Sequence, residues 1–450
     1  MKFFVIAGEA SGDLHAANLM RSLSLEDKDA SFVGLGGDKM RAAGCDIRVD
    51  YRDMAYMGVV AVLANLPKIR RNFRIARAAL METRPDVLIL IDYPSFNLRM
   101  AAFCRKHLPH TRIVYYIPPK VWAWKSWRVH RIARYADDVL GIFPFEPAFY
   151  ARYGYSCQYV GNPTADCIRT WQQSHQKETE DNNISHPTEE AKEETKTENS
   201  RTDNQPSVAS QYYSPSLRGA GGAHTPTKEE EKDIQGGEHH SDSDLLSPSF
   251  GGVGEVSQSV EPLIALLPGS RPSEIRHCLP TMLEAARCVA GTDYRIVVAA
   301  APGIDDSFYA PYLHGETLTR DTYTLVSSAR AAVVNSGTAT LETALLGCPQ
   351  TAVYYIACSR WLEWLIRPIL FRTKYFTLVN IIPQQEVIQE LIASRFTVSN
   401  VEHELRRLLS DEHYRHTMLT RYRHLSHLLT SRTAARTAAH IICHNTHLAH

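Results

Sequence analysis

The chain has 450 residues and a formal net charge of zero, from 49 basic and 49 acidic side chains. The zero is a sum of opposites: residues 171–260 hold 17 acidic and 7 basic side chains, net −10, and the remaining 360 hold 32 and 42, net +10. A 360-residue body exceeds one ordinary core and points to two domains, and no apolar run reaches the roughly 18 residues that a membrane-spanning helix needs.

At the N-terminus, Phe3–Ala7 is too short for a signal-peptide core and reads as a first strand. Further strands fit Ser31–Leu35, Val87–Ile91, Arg112–Tyr116, Asp138–Ile142 and Gln158–Val160, with helices between them. The clearest helix covers 67–84. Ile69, Phe73, Ala76 and Leu80 recur on one face, and Lys68, Arg70, Arg71, Arg74 and Arg77 occupy the other. Residues 171–260 include only 17 apolar side chains, too few to offset the entropy of ordering, so a disordered acidic insertion is expected there. Beyond it, strands fit Leu263–Leu267, Arg295–Ala299, Ala332–Asn335 and Gln350–Tyr354. Helices fit Ser273–Val289, Thr338–Leu346 and Val387–Ile392, and the tail from Val401 to about Cys443 reads as wholly helical.

Near-continuous apolar strands alternating with helices imply parallel sheets covered on both faces. The expected organisation is an α/β domain over 1–170, the insertion over 171–260, a second α/β domain over 261–400, and helices over 401–450 that can pack back on the first domain. A cleft between the two α/β domains is the natural place for a site. The cysteines (45, 104, 157, 167, 278, 288, 348, 358 and 443) form no CxxC pair, which fits reduced structural thiols in a cytoplasmic protein. Asp242-Ser243-Asp244 matches a metal-binding DxD pattern but falls in the insertion, and no HExxH occurs, so no metal site is expected. No nucleic-acid-binding motif accompanies the basic body.

Four strand-to-helix junctions carry chemistry. Gly8, Glu9, Ser11, Gly12 and Asp13 follow the first strand, where small residues let a ligand approach the backbone and a helix N-terminus favours anions. Asp92 ends a buried strand, where an ionised carboxylate can take a proton from a hydroxyl; an N-cap or Asx turn before a helix from Asn97 is the plainer alternative. Gly269, Ser270 and Arg271 follow the strand at 263–267, with freed amides and a guanidinium suited to phosphate, and Ser273 is placed to cap the next helix. Asn335, Ser336, Gly337 and Thr338 suit a diphosphate, and Glu342, four residues after Thr338, suits ribose hydroxyls or is simply a first-turn acid.

Together these strings resemble the lipid-A-disaccharide synthase family. The likeness rests on AGEASGDLH at 7–15, MGVVAVLANLPKI at 57–69, PDVLILIDYPSFN at 85–97, VWAW at 121–124 and FPFEPAFY at 143–150. It continues in VGNPTAD at 160–166, LLPGSRPSEI at 266–275, NSGTATLE at 335–342 and LVN at 378–380. The resemblance implies a GT-B fold, two Rossmann-like domains facing a cleft, with no metal or organic cofactor. It implies an inverting transfer from UDP-2,3-diacylglucosamine to 2,3-diacylglucosamine 1-phosphate, releasing UDP. Asp92 and Arg271 fall on its catalytic positions, and Gly269, Ser270, Asn335, Ser336, Gly337, Thr338 and Glu342 fall in its UDP-sugar region. Gly8 to Asp13 line its cleft.

Two departures from the family pattern stand out. Ser95 occupies the place of a second acid, and Pro118-Pro119-Lys120 precedes Val121, adding a cation beside Trp122 and Trp124. Acylated substrates call for peripheral contact with the inner face of the cytoplasmic membrane. Met57, Val60 and Leu63 with Arg70, Arg71, Arg74 and Arg77 suit that contact, and a second aromatic and basic segment spans 361–372. The resemblance also allows a homodimer. The competing readings are an enzyme like UDP-N-acetylglucosamine 2-epimerase and a non-catalytic UDP-sugar-binding protein.

Overall fold

The computed structural model describes residues 1–54, 66–123, 126–185, 261–356 and 374–447, with backbone alone for 177–185 and 447. Residues 1–176 and 261–450 form one compact unit that holds both sheets. The first sheet contains β1 (Lys2–Ala7), β2 (Ser31–Gly36), β3 (Cys45–Asp50), β4 (Val87–Ile91), β5 (Arg112–Tyr116), β6 (Asp138–Gly141) and β7 (Gln158–Tyr159). The second contains β8 (Leu263–Leu267), β9 (Arg295–Ala299), β10 (Thr317–Thr319), β11 (Ala329–Asn335), β12 (Gln350–Tyr354) and β13 (Glu390–Ile392). The orders are β3-β2-β1-β4-β5-β6-β7 and β10-β9-β8-β11-β12-β13, and every pairing is parallel.

The unbroken apolar strands are explained by two-sided burial. In β1, Phe3, Val5 and Ala7 enter one core and Phe4 and Ile6 the other. In β8, Ile264 and Leu266 face one core, and Leu263, Ala265 and Leu267 face the other. Successive side chains of a strand point to opposite faces, so a central strand covered on both sides has no position for a polar residue.

Three strands were not expected, and all lie at sheet edges: β3, β10 and β13. Each is short or polar on one side, because an edge strand buries less. The helix expected at Val387–Ile392 is not formed. Glu390, Leu391 and Ile392 instead pair with Ala352, Val353 and Tyr354 of β12, since the open edge of that strand supplies backbone partners.

The helix Pro163–Ser185 runs past the expected start of the insertion at 171. Trp171 anchors its continuation, with its ring 4.2 Å from His175 and 5.8 Å from Tyr323. The rest of the insertion, 186–260, with Asp242-Ser243-Asp244, lies outside the described residues, as does the segment 361–372. The tail forms helices Val398–Ser410, Glu412–Thr430 and Ala434–His447. The last of these packs on helix Ala10–Glu26, where Ala438, Ala439, Ile442 and Cys443 join Ala16, Leu19, Met20 and Leu23 in one core. The eight described cysteines are free thiols, and six of them are buried.

Candidate active site

Each sheet reverses its winding direction once, between β1 and β4 and between β8 and β11. Loops leaving two such strands diverge and leave a crevice at the carboxyl ends, where open α/β sheets bind ligands. The pairing Ala7↔Ile91 puts Gly8-Glu9 beside Asp92, and Val334↔Leu267 puts Asn335 beside Pro268. All four expected junctions therefore fall at the two switch points.

At β1, a side chain on Gly8 would collide with the Tyr93 ring, and Gly12 packs closely against Ala7. Glu9 is the N-cap residue of helix Ala10–Glu26, yet its side chain makes no capping bond. Burial and the charge of Asp92 push its carboxyl up, and Arg271 and Lys120 oppose the shift. Because Arg271 belongs to the second sheet, loops of both sheets act on one group. Ser11 is exposed near the helix start. Asp13 is taken up by the fold: its carboxylate accepts from the amides of Gly37 at 2.7 Å, Lys39 at 3.1 Å and Met40 at 3.1 Å.

Asp92 sits in strained backbone. Asp92, Tyr93 and Ile117 have φ values of 42°, 43° and 59°, a region that a β-branched residue such as Ile rarely enters. The strain is held in place by hydrogen bonds. The Asp92 amide donates to the Ile117 carbonyl at 3.1 Å, and the Asp92 carbonyl accepts from the Tyr115 hydroxyl at 2.7 Å and from Asn97 Nδ2 at 2.8 Å. The next helix is Pro94–His107 with Tyr93 as its N-cap residue, so the N-cap role for Asp92 and a helix start at Asn97 are not observed. Asp92 is exposed at the carboxyl end of β4, with protein packed around its carboxyl. Burial raises its pKa, and Lys120 and the Tyr93 amide lower it. Ser95 is exposed in the first turn of the same helix.

Four neighbours were not foreseen as parts of this site: Asn97, Tyr115, Lys120 and Glu146. Glu146, the acid within FPFEP, is 1% exposed and accepts from the Ile142 and Phe143 amides at 2.7 and 2.9 Å. Burial pushes its carboxyl up to about 7, against the pull of those amides, Trp122 and Lys120. An acid flanked by aromatics and prolines was the available signal. Trp122 packs edge-on against Phe143 and Phe145, whereas Trp124 lies outside the described residues.

At β8, Gly269 has φ 121°, and a Cβ there would lie 2.6 Å from Glu274 Oε2 and 2.7 Å from Asn335 Nδ2. Only glycine fits. Ser273 does not cap the following helix, which is Pro272–Ala290. Arg271 is its N-cap residue, Pro272 takes the first helical position, and Glu274 reaches back to the Ser270 amide at 3.0 Å. Arg271 Nη1 is 3.4 Å from Glu274 Oε1, and its side chain stays 53% exposed, free to meet an anion.

At β11, Asn335 is buried and accepts from Cys278 Sγ at 3.6 Å. Ser336 donates to the Val353 carbonyl at 2.8 Å, which extends the sheet by one residue. Gly337 and Thr338 are exposed at the start of helix Thr338–Leu345. Glu342 is the fifth residue of that helix, past its first turn. It is half-buried, burial pushes its carboxyl up, and it has no hydrogen-bond partner among the described residues. Asn380 of the LVN string is consumed by scaffold bonds to Val387, Ile388 and Glu390.

Of the expected membrane residues, Met57, Val60 and Leu63 lie outside the described set. Arg70, Arg74 and Arg77 line a cavity of about 400 Å³ with Phe73 and, unexpectedly, Arg99; Arg71 is exposed outside it. None of these arginines is ion-paired with a carboxylate among the described residues. Phe73 stacks on Phe96 at 4.1 Å, and Phe96 meets Tyr93 at 5.8 Å, so the pocket backs onto the Asp92 turn. No helix of the described residues is long and apolar enough to cross a membrane.

Two parallel sheets of Rossmann order, each with its small-residue loops at the switch point, define a GT-B architecture. The solved UDP-GlcNAc 2-epimerase of Methanocaldococcus jannaschii, in complex with UDP-GlcNAc and UDP, shares this fold at a TM-score of 0.53 and 9% identity, over 99% of this chain and 100% of that one. That of Neisseria meningitidis bound to UDP-GlcNAc does so at 0.50 and 9%, over 100% of both.

Sequence narrows the class to a family. The model of the Lipid-A-disaccharide synthetase family matches residues 3–190 and 255–442, and the chain belongs to that family. Lipid-A-disaccharide synthase of Trichlorobacter lovleyi is 31% identical over 98% of this chain and 96% of its own length, and that of Geobacter sulfurreducens 31% over 92% and 89%.

Proposed function

We propose that the chain transfers a 2,3-diacylglucosamine unit from its UDP derivative to the 6-hydroxyl of 2,3-diacylglucosamine 1-phosphate, with inversion, releasing UDP. The observation that supports this reading is that Asp92, at the switch point of the first sheet, and Arg271, at that of the second, both act electrostatically on the Glu9 carboxyl. Asp92 takes the hydroxyl proton as oxygen attacks the anomeric carbon. The departing diphosphate gathers negative charge, which Arg271, the Ser270 amide and the N-terminus of helix Thr338–Leu345 stabilise. Glu342, unpartnered, receives ribose hydroxyls. On this reading the first sheet carries the acceptor and the second the UDP-sugar.

The enzyme works at the inner face of the cytoplasmic membrane, where the pocket of Arg70, Arg74, Arg77 and Arg99 meets anionic headgroups and the substrates' acyl chains remain near lipid.

The test is UDP release by the purified chain with both acylated glucosamines and with each omitted in turn. UDP is expected only with both, together with a disaccharide 1-phosphate. An epimerised sugar without free UDP would overturn the reading. Asp92→Asn keeps the shape and removes the base, so kcat is expected to fall by roughly 10²–10⁴.

A further inference from the structure

Arg70, Arg74, Arg77 and Arg99 line one cavity with Phe73. On helix Leu66–Thr83 the first three are spaced by four and three residues, so they share a helical face. On helix Pro94–His107, Phe96, Arg99 and Phe103 share a face in the same way. The Phe73 ring centre lies 5.8 Å from the Arg77 guanidinium and 5.6 Å from that of Arg99, and Arg77 also stands 4.9 Å from the Phe103 ring. Aromatic faces rather than carboxylates hold these two cations. Positive charges gathered in a cavity of about 400 Å³, with no acid paired to them among the described residues, suit an anion of more than one charge.

The cavity is joined to the Asp92 turn. Phe73 stacks on Phe96 at 4.1 Å, Phe96 meets Tyr93 at 5.8 Å, and Tyr93 adjoins Asp92. Both walls are also tied to one stretch of backbone. Asn72 Nδ2 donates to the Asp53 carbonyl at 2.8 Å, and the Tyr93 hydroxyl donates to the Met54 carbonyl at 2.6 Å. The acceptor supplies a fitting anion. Its 6-hydroxyl and 1-phosphate are linked through C5, the ring oxygen and C1, so the phosphate lies about one sugar ring from the hydroxyl. A phosphomonoester carries close to two negative charges at neutral pH and offers three oxygens to guanidinium forks.

We propose that this cavity is the acceptor's phosphomonoester subsite, in which Arg77 and Arg99, joined by Arg70 and Arg74, hold the 1-phosphate while the 6-hydroxyl meets Asp92. This rests on the reading of the chain as a transferase with Asp92 as base, so its test includes a binding measurement that needs no reaction.

The binding probe is glucosamine 1-phosphate, followed by ³¹P line broadening with the full chain and excess UDP. Its Kd is expected to rise at least about tenfold in the double variant Arg77→Gln/Arg99→Gln, which loses charge-assisted hydrogen bonds. Partial recovery is expected in Arg77→Lys/Arg99→Lys, which keeps the charge but not the fork. Turnover is read in neutral detergent micelles, with 2,3-diacylglucosamine 1-phosphate and with its 1-O-methyl analogue, which lacks the phosphate. The kcat/KM preference for the phosphorylated acceptor should narrow by the same factor in Arg77→Gln/Arg99→Gln. No binding by the wild type, an unchanged Kd in the folded double variant, or an equal loss on both acceptors overturns the proposal. If that variant loses binding to phosphatidylglycerol vesicles yet keeps glucosamine 1-phosphate, the cavity takes membrane phosphodiesters alone and the proposal falls. A weakened Kd in the variant, without turnover by the wild type, would leave the phosphate subsite standing and sink the transferase reading.

Discussion

Asp92 is held by its neighbours more than by its own strand. Asn97 and Tyr115 clamp its carbonyl, and the Tyr93 ring occupies the space that a side chain on Gly8 would need. Behind it, Glu146 is a buried carboxyl with a folded pKa of about 7, against an ordinary value near 4.5. The folded state therefore holds its proton more tightly than the unfolded state does. The resulting stabilisation is complete below about pH 4.5 and disappears as pH rises through about 7. Wild-type stability is expected to fall by up to about 3 kcal/mol across that window from this group, and Glu146→Gln should flatten the fall. Thermal melts of both proteins from pH 4.5 to 7.5 check this, and parallel curves would refute it. At this scale the sequence was informative where type and place coincide, as in a lone acid ending an apolar strand or an arginine after Pro-Gly-Ser. It was silent on Tyr115 and on the bond from Asn97 to the Asp92 carbonyl, because these depend on how β4, β5 and the following helix lie side by side.

Elements divide by burial. Strands β1, β4, β8 and β11 are central and apolar on both faces, so their sequence pattern sufficed. The edge strands β3, β10 and β13 carry no such pattern, and Val387–Ile392, read as helix, was decided by an open neighbour. The helix Leu66–Thr83 has the expected sides: Ala76 and Leu80 are buried, and its arginines are exposed. What the periodicity could not supply is Arg99 from helix Pro94–His107, which completes the cavity. Neutralising Arg70, Arg74, Arg77 and Arg99 to Gln should weaken binding to anionic vesicles at least about tenfold, since each cation near the surface contributes about 1 kcal/mol. Arg71→Gln alone should change little. Flotation with anionic and with zwitterionic vesicles measures both, and equal binding by the quadruple variant would remove this pocket from the membrane reading.

Over the whole molecule, the last helix joins chain ends far apart in sequence. Helix Ala434–His447 begins where the Ala434 amide donates to Asp166 Oδ2 at 2.6 Å, and it buries Ile442 completely against the first sheet's core. Ile442→Ala is expected to cost about 2–4 kcal/mol. The loss should appear in hydrogen exchange of β1 and helix Ala10–Glu26 before that of β8; the reverse order would contradict the packing. Charge also acts at this scale. The +10 body suits a diphosphate donor, a phosphorylated acceptor and an anionic surface, while the −10 of residues 171–260 is set apart in one segment.

The sequence by itself determined the two parallel α/β sheets, their central strands and the four loops that carry chemistry. Burial on both faces and small residues after a strand are local constraints, and a one-dimensional pattern records them. Only the tertiary structure decided which acids share a cation, which arginine closes the pocket and which Asp serves the scaffold. Those outcomes depend on distances between residues tens to hundreds of positions apart, and strand order sets them.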